Sequence, residues 1–102
     1  MSSKFGNVAI RVDGIRFASK REARRYQALR LMEKAGAIHN LHTQAPFDIA
    51  FGGVKICRYI ADFTYLEKGC EIVEDCKGMR TPVYKLKAKL MFAVNGIRIR
   101  ET

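Results

Sequence analysis

The stretch Arg58-Tyr59-Ile60-Ala61-Asp62-Phe63-Thr64-Tyr65-Leu66-Glu67-Lys68-Gly69-Cys70-Glu71-Ile72-Val73-Glu74-Asp75-Cys76-Lys77 decides the fold. Aromatic and β-branched residues recur from Arg58 to Leu66 and from Cys70 to Lys77. Glu67-Lys68-Gly69 between them has the composition of a turn, so the spacing predicts an antiparallel hairpin. Side chains alternate along a strand, which puts Asp75 and Lys77 on one face and Cys76 on the other. Asp62 punctures the apolar run Tyr59, Ile60, Ala61, Phe63, and Asp75 ends the run Ile72-Val73. The hairpin brings these two carboxylates within reach of each other and of Lys77.

Upstream, Val8 to Val12 alternates, Asp13-Gly14 is a two-residue turn signal and Ile15 to Phe17 returns, predicting a short first hairpin. Ser19 as N-cap, Glu22 three residues on and Gly36 as a stop predict a helix over 20–35. Ile38 to Phe51 reads as extended segments interrupted at Pro46, and Gly52-Gly53 turns the chain into Val54 to Ile56. Downstream, Gly78 breaks the strand and Thr81-Pro82 start a second helix. Its apolar stripe, Val83, Leu86, Leu90 and Val94, is expected to face the sheet. Ile97 to Arg100 reads as a last short strand. The expectation is one α/β domain of mixed α+β character spanning residues 1–102, with a central sheet flanked by two helices.

With 102 residues, 48% hydrophobic and 28% charged, the chain has room for a single compact core. It contains no apolar run near the roughly 20 residues that cross a bilayer, and Met1 to Gly6 lacks the apolar core of a signal peptide. Cys57, Cys70 and Cys76 have no C-x-x-C spacing, which speaks against a disulfide framework or a zinc knuckle. These features lead us to expect a cytoplasmic protein without a membrane segment. His39-x-x-His42 lacks a Cys or acidic partner at ligand spacing and reads as two polar side chains facing solvent.

Nineteen Lys and Arg against ten Asp and Glu give a net charge of +9, which in a small domain favours a polyanionic partner, nucleic acid first. The distribution says more than the sum. Residues 1–36 carry nine bases and three acids, residues 77–100 seven bases and no acid, whereas residues 37–76 hold six acids and three bases. Basic flanks around an acidic centre are what a metal-dependent nuclease needs, because the flanks hold the phosphate backbone and the carboxylates hold Mg²⁺. In that reading Asp62 and Asp75 chelate the ion with the backbone carbonyl of Cys76, and Lys77 orients or deprotonates water and stabilises phosphate charge. The alternative is a cross-strand salt bridge of Lys77 with a carboxylate at a sheet edge.

The Asp62 … Asp75-Cys76-Lys77 pattern resembles the PD-(D/E)xK nuclease superfamily. Asp13-Gly14-Ile15-Arg16-Phe17-Ala18-Ser19-Lys20-Arg21-Glu22-Ala23-Arg24-Arg25-Tyr26, with Tyr59 to Tyr65 and Val73 to Gly78, is similar to a small phage-encoded group of that superfamily. The resemblance covers roughly residues 10–95. It implies a restriction-endonuclease-like core with a mixed sheet and Mg²⁺ as cofactor, Mn²⁺ substituting. It also implies DNA as partner, branched DNA such as Holliday junctions included, and a homodimer. Ala61 stands where the superfamily motif has Pro, and Glu74-Asp75 side by side leaves open which acid ligates, the x-Lys spacing favouring Asp75.

Glu22 has two readings, a capping-box residue bonded to Ser19 or, by the resemblance, a third carboxylate at the site. Gln44 is either a polar strand residue or, by the same resemblance, a contact near the site. Arg21, Arg24, Arg25, Arg80, Lys85 and Lys89 are candidate phosphate contacts or solvated faces, and Tyr84 either stacks on nucleic acid or packs in the core. A non-catalytic nucleic-acid-binding module, a structure-nonspecific DNA nuclease and a factor that blocks a host enzyme are the competing functions.

Overall fold

The computed structural model describes residues 10–102. Val8 and Ala9 of the expected first strand lie outside them. Strands β1 (Ile10–Val12) and β2 (Ile15–Phe17) form an antiparallel two-stranded sheet. Asp13 and Gly14 both have positive φ, the backbone of the tight hairpin turn that matches strand twist. Helix α1 (Lys20–Lys34) follows, with the Ser19 hydroxyl accepting from the Glu22 amide. Gly36, at φ 81, ends it, as the sequence predicts.

A mixed four-stranded sheet comes next, in the order β3 (His39–Phe51), β4 (Val54–Glu67), β5 (Cys70–Asp75), β6 (Arg100–Glu101). The first three strands are antiparallel and β6 pairs parallel to β5. Helix α2 (Pro82–Asn95) connects β5 to β6, capped by Thr81. The α+β class and the mixed sheet agree with the sequence reading, and several boundaries differ. Pro46 does not interrupt β3, because β3 is an edge strand where the missing N–H costs no ladder bond. Val54 to Ile56 and Arg58 to Leu66 are one strand, and the last strand is Arg100–Glu101 instead of Ile97 to Arg100.

The face of α2 is also corrected. Val83 and Leu86 are 62% and 59% exposed, while Tyr84 is 6% exposed and Met91 buried. Leu90 and Val94 do pack inward, beside Ala88. Tyr84 outcompetes Val83 because its large ring finds the Tyr59 ring at 6.4 Å and its hydroxyl finds Glu101, so the helix turns by about one residue.

Two cores result. Ala23, Tyr26 and Leu29 of α1 pack with Phe17, Ile38, Phe63 and Tyr65, and Tyr84 and Met91 of α2 pack with Ile49, Tyr59, Ala61 and Val73. Strict alternation would put Tyr59, Ala61, Phe63 and Tyr65 on one face of β4, yet they divide between the cores. The change falls at Asp62. Register pairs Thr43 with Phe63 and Ala45 with Ala61, which sets Gln44 against Asp62, and Gln44 has φ 51. A left-handed residue inside a strand thus turns the sheet over at the position where Asp62 stands. Replacing Gln44 with Gly should leave stability within about 0.5 kcal/mol, and Gln44→Val should cost about 1–2 kcal/mol, because a β-branched residue resists positive φ. Urea melts of both variants check this. Equal stability of the two would remove the strain at Gln44.

Candidate active site

The register that pairs Phe63 with Glu74 continues one step to set Asp62 opposite Asp75. Asp75 is 1% exposed and ends β5. Beyond it, the Thr102 amide donates to the Asp75 carbonyl at 3.0 Å and the Lys77 amide donates to the Thr102 carbonyl at 3.2 Å. β5 ends at Asp75, short of the expected Lys77, and these bonds tie both Asp75 and Lys77 to Thr102.

The two oxygens of Asp75 differ. Oδ2 accepts from the Tyr59 hydroxyl. Oδ1 is buried and accepts no hydrogen bond, and its counter-charge is the Lys77 ammonium at 3.1 Å, an ion pair without hydrogen-bond direction. The same ammonium lies 4.3 Å from the centre of the Tyr84 ring, held between a carboxylate and an aromatic face. The Tyr84 hydroxyl donates to Glu101 Oε2 at 2.7 Å, and Glu101 pairs with Arg80 at 2.7 Å.

Asp62 Oδ2 accepts from the Cys76 amide at 2.9 Å. Burial, reinforced by hydrogen bonding with Asp75 and by the charges of Asp75 and Glu22, pushes the Asp62 carboxyl up to about 7 against the pull of that amide. Glu22 is half-buried on the first turn of α1. Burial and the charge of Asp75 raise its carboxyl, and Lys77 opposes them. The Glu22 amide donates to the Ser19 hydroxyl, which is the Ser19 cap, while the Glu22 carboxylate sits in the field of Asp75 and Lys77.

Glu74, beside Asp75, points the other way. It is 0% exposed. Arg25 donates to it twice, at 2.6 and 3.0 Å, the Tyr65 hydroxyl once and the Thr102 hydroxyl at 2.9 Å. With both oxygens occupied, Glu74 is the structural acid of the pair and Asp75 the one facing Asp62. The structure thereby places Arg25 on an internal carboxylate and not on a surface ready for phosphate. Tyr84 takes its core reading.

The remaining basic candidates, Arg21, Arg24, Arg80, Lys85 and Lys89, are exposed, as is Gln44. Arg21 donates to the Thr102 carbonyl at 3.2 Å. Sequence reading missed Tyr59 and Tyr65, each hydrogen-bonded to a buried acid. The available signal was two tyrosines six residues apart on β4, the strand beside Glu74-Asp75.

The donor set fits a divalent cation. It offers two facing carboxylates, one buried oxygen without a hydrogen bond, and a second carboxyl raised to about 7 by burial and by its neighbour Asp75. Asp62 and Asp75 would hold such an ion, with Glu22 of α1 and the backbone carbonyl of Cys76 as further candidate oxygens. Among the described residues no group of three or more His, Cys, Asp and Glu side chains is placed to hold a metal ion, so the candidate donors are the carboxylate pair Asp62 and Asp75. No helix is long and apolar enough to cross a membrane.

Fold and site together define a small, basic α+β domain with an acid–acid–lysine cluster at the β4–β5 junction. The chain belongs to the family described as Protein of unknown function (DUF1064), whose model matches residues 2–100. No curated protein and no solved structure matches it.

Proposed function

We propose that the protein is a metal-dependent endonuclease that hydrolyses phosphodiester bonds in DNA, with branched DNA such as four-way junctions as its substrate class. The observation that carries this reading is the half-buried Asp62 facing the buried Asp75, whose Oδ1 accepts no hydrogen bond and is paired with the Lys77 ammonium at 3.1 Å, in a chain of net charge +9. A bound Mg²⁺ or Mn²⁺ supplies Lewis-acid chemistry at the phosphate. Asp62 and Asp75 hold the ion, and Tyr59 keeps the Asp75 carboxylate in one orientation. Lys77, clamped between Asp75 and the Tyr84 ring, presents a fixed positive charge to the negative charge that develops on phosphorus oxygens. The exposed Arg24, Lys85 and Lys89 contact flanking phosphates. A homodimer in the cytoplasm of a bacterial host would present two such sites to two strands. The exposed apolar residues Phe51, Val54, Ile56 and Ile60 along the β3–β4 hairpin supply a surface for it.

The test is cleavage of labelled single strand, duplex, flap and four-way junction in Mg²⁺, Mn²⁺ and EDTA. Metal-dependent cutting of the junction above the duplex supports the reading. Equal cutting of both removes branch preference, and binding without cutting in any metal favours a non-catalytic module. A second prediction concerns the metal alone. Mg²⁺ should raise the melting temperature of the wild type, by about 2.7 kcal/mol of stability at a hundredfold excess over Kd, and Asp75→Asn should abolish the shift. A thermal melt with and without Mg²⁺ reads this directly, and an equal shift in the variant would place the ion elsewhere.

A further inference from the structure

Arg11 and Arg16 stand directly opposite each other in the β1–β2 ladder. Both are exposed, while Ile10, Val12, Ile15 and Phe17 turn toward the α1 core. Like charges opposite one another weaken a ladder, and a hairpin of two three-residue strands has little stability to spare. Among the described residues neither guanidinium has a carboxylate within 4 Å, although other arginines do: Arg25 has Glu74, Arg58 has Asp48 and Arg100 has Glu67. Asp13, the acid of this hairpin's own turn, is engaged by the Tyr26 hydroxyl at 3.0 Å and lies 3.5 Å from Arg30.

The hairpin is nonetheless held firmly. Phe17 is buried, with its ring 5.0 Å from Tyr26 and 6.5 Å from Phe63. The chain passes from Phe17 through the Ser19 cap into α1. Arg16 is six residues from Glu22, so its Cα lies within about 20 Å of that of Glu22. Two unpaired guanidinium forks on a rigid two-stranded prong, near the acid–lysine cluster yet outside it, match a row of phosphates along one strand.

We propose that the β1–β2 hairpin is a phosphate-binding prong, in which Arg11 and Arg16 grip the sugar–phosphate backbone of duplex DNA at a distance from the cleaved bond. It rests on the nucleic-acid reading of the acid–lysine site and adds the element that holds the duplex there.

Binding of a labelled duplex by the full chain, followed by fluorescence anisotropy in EDTA from about 50 to 300 mM salt, tests it. Arg11→Gln/Arg16→Gln should make the log–log salt slope shallower by about 1.8 and weaken binding at least about tenfold at the low-salt end. Its melting temperature should equal or exceed that of the wild type. Lys55→Gln/Arg58→Gln, which also removes two charges but ones already paired with Asp48, should keep the wild-type slope. A wild-type slope in the hairpin variant, or an equal loss in the control, overturns the prong and leaves the nuclease reading standing. Absence of DNA binding by the wild type overturns both.

Discussion

If the proposed nuclease reading holds, Lys77→Ala should lower metal-dependent cleavage by about 10²–10³-fold, the typical cost of removing one preorganised charge at a reacting centre. DNA affinity in EDTA stays within a few fold, so the loss falls on kcat with little change in KM. The reason is geometric. The Lys77 ammonium is the only cation paired with Asp75 among the described residues, and the Tyr84 ring fixes it from the other side. Lys77→Arg should recover only part of the activity, because a planar fork cannot take the place of a compact ammonium between an oxygen and an aromatic face. Tyr84→Phe keeps the ring and should stay near wild type, while Tyr84→Leu frees the ammonium and should fall between wild type and Lys77→Ala. Single-turnover cleavage with each variant, alongside its melting temperature, reads all four. Undiminished cleavage in Lys77→Ala or Asp75→Ala sinks the mechanism.

The site was legible because strand alternation is rigid. Period two, applied to a strand expected to run to Lys77, places Asp75 and Lys77 on one face; β5 ends at Asp75, and the Lys77 ammonium, two residues beyond it, lies 3.1 Å from the Asp75 carboxylate. The same rule misleads across Asp62. Tyr59 and Ala61 serve one core and Phe63 and Tyr65 the other, because Gln44 opposite takes positive φ. Glutamine carries no sequence signal for that conformation, unlike the Asp13-Gly14 turn, which was read correctly. Helix α2 shows a different failure. Its caps were legible from Thr81-Pro82, but a hydropathy stripe ranks Val83 above Tyr84, and a tyrosine that can satisfy its hydroxyl at Glu101 buries more surface than a valine.

Arg25 was the hardest residue to read, since it sits in a basic run with Arg21 and Arg24 whose other members do face solvent. The clue lay elsewhere in the chain. Glu74 and Asp75 are adjacent on a strand, so they point to opposite faces, and an acid buried on the α1 side requires a cation from α1. Arg25→Ala should therefore destabilise the protein by about 3 kcal/mol at pH 7, because it leaves the Glu74 carboxylate buried without its partner. For a domain of this size that is a fall in melting temperature of roughly 12–20 °C.

The pH dependence identifies the cause. Burial by itself would raise the Glu74 carboxyl, but the hydrogen bonds from Arg25, Tyr65 and Thr102 outweigh it and hold the group below the ordinary carboxylate range. A folded-state value depressed below the unfolded one contributes stability above the unfolded value, about 4.3, and that contribution is lost as pH falls through the lower folded value. Without Arg25, burial dominates, the carboxyl moves upward, and the folded variant tolerates Glu74 best when it is protonated. The gap between wild type and Arg25→Ala should thus be widest near pH 7 and narrow toward pH 4. Glu74→Gln keeps the shape and leaves Arg25, which is partly exposed, to be solvated, so its cost at pH 7 should be smaller than that of Arg25→Ala. Adding Glu74→Gln to Arg25→Ala should recover part of the loss, since the two residues act through one contact. Calorimetry of the three variants at pH 4, 5 and 7 gives each comparison. A gap below about 1 kcal/mol at pH 7, or one that does not change with pH, would mean that Arg25 is not what keeps the Glu74 carboxylate charged inside the fold.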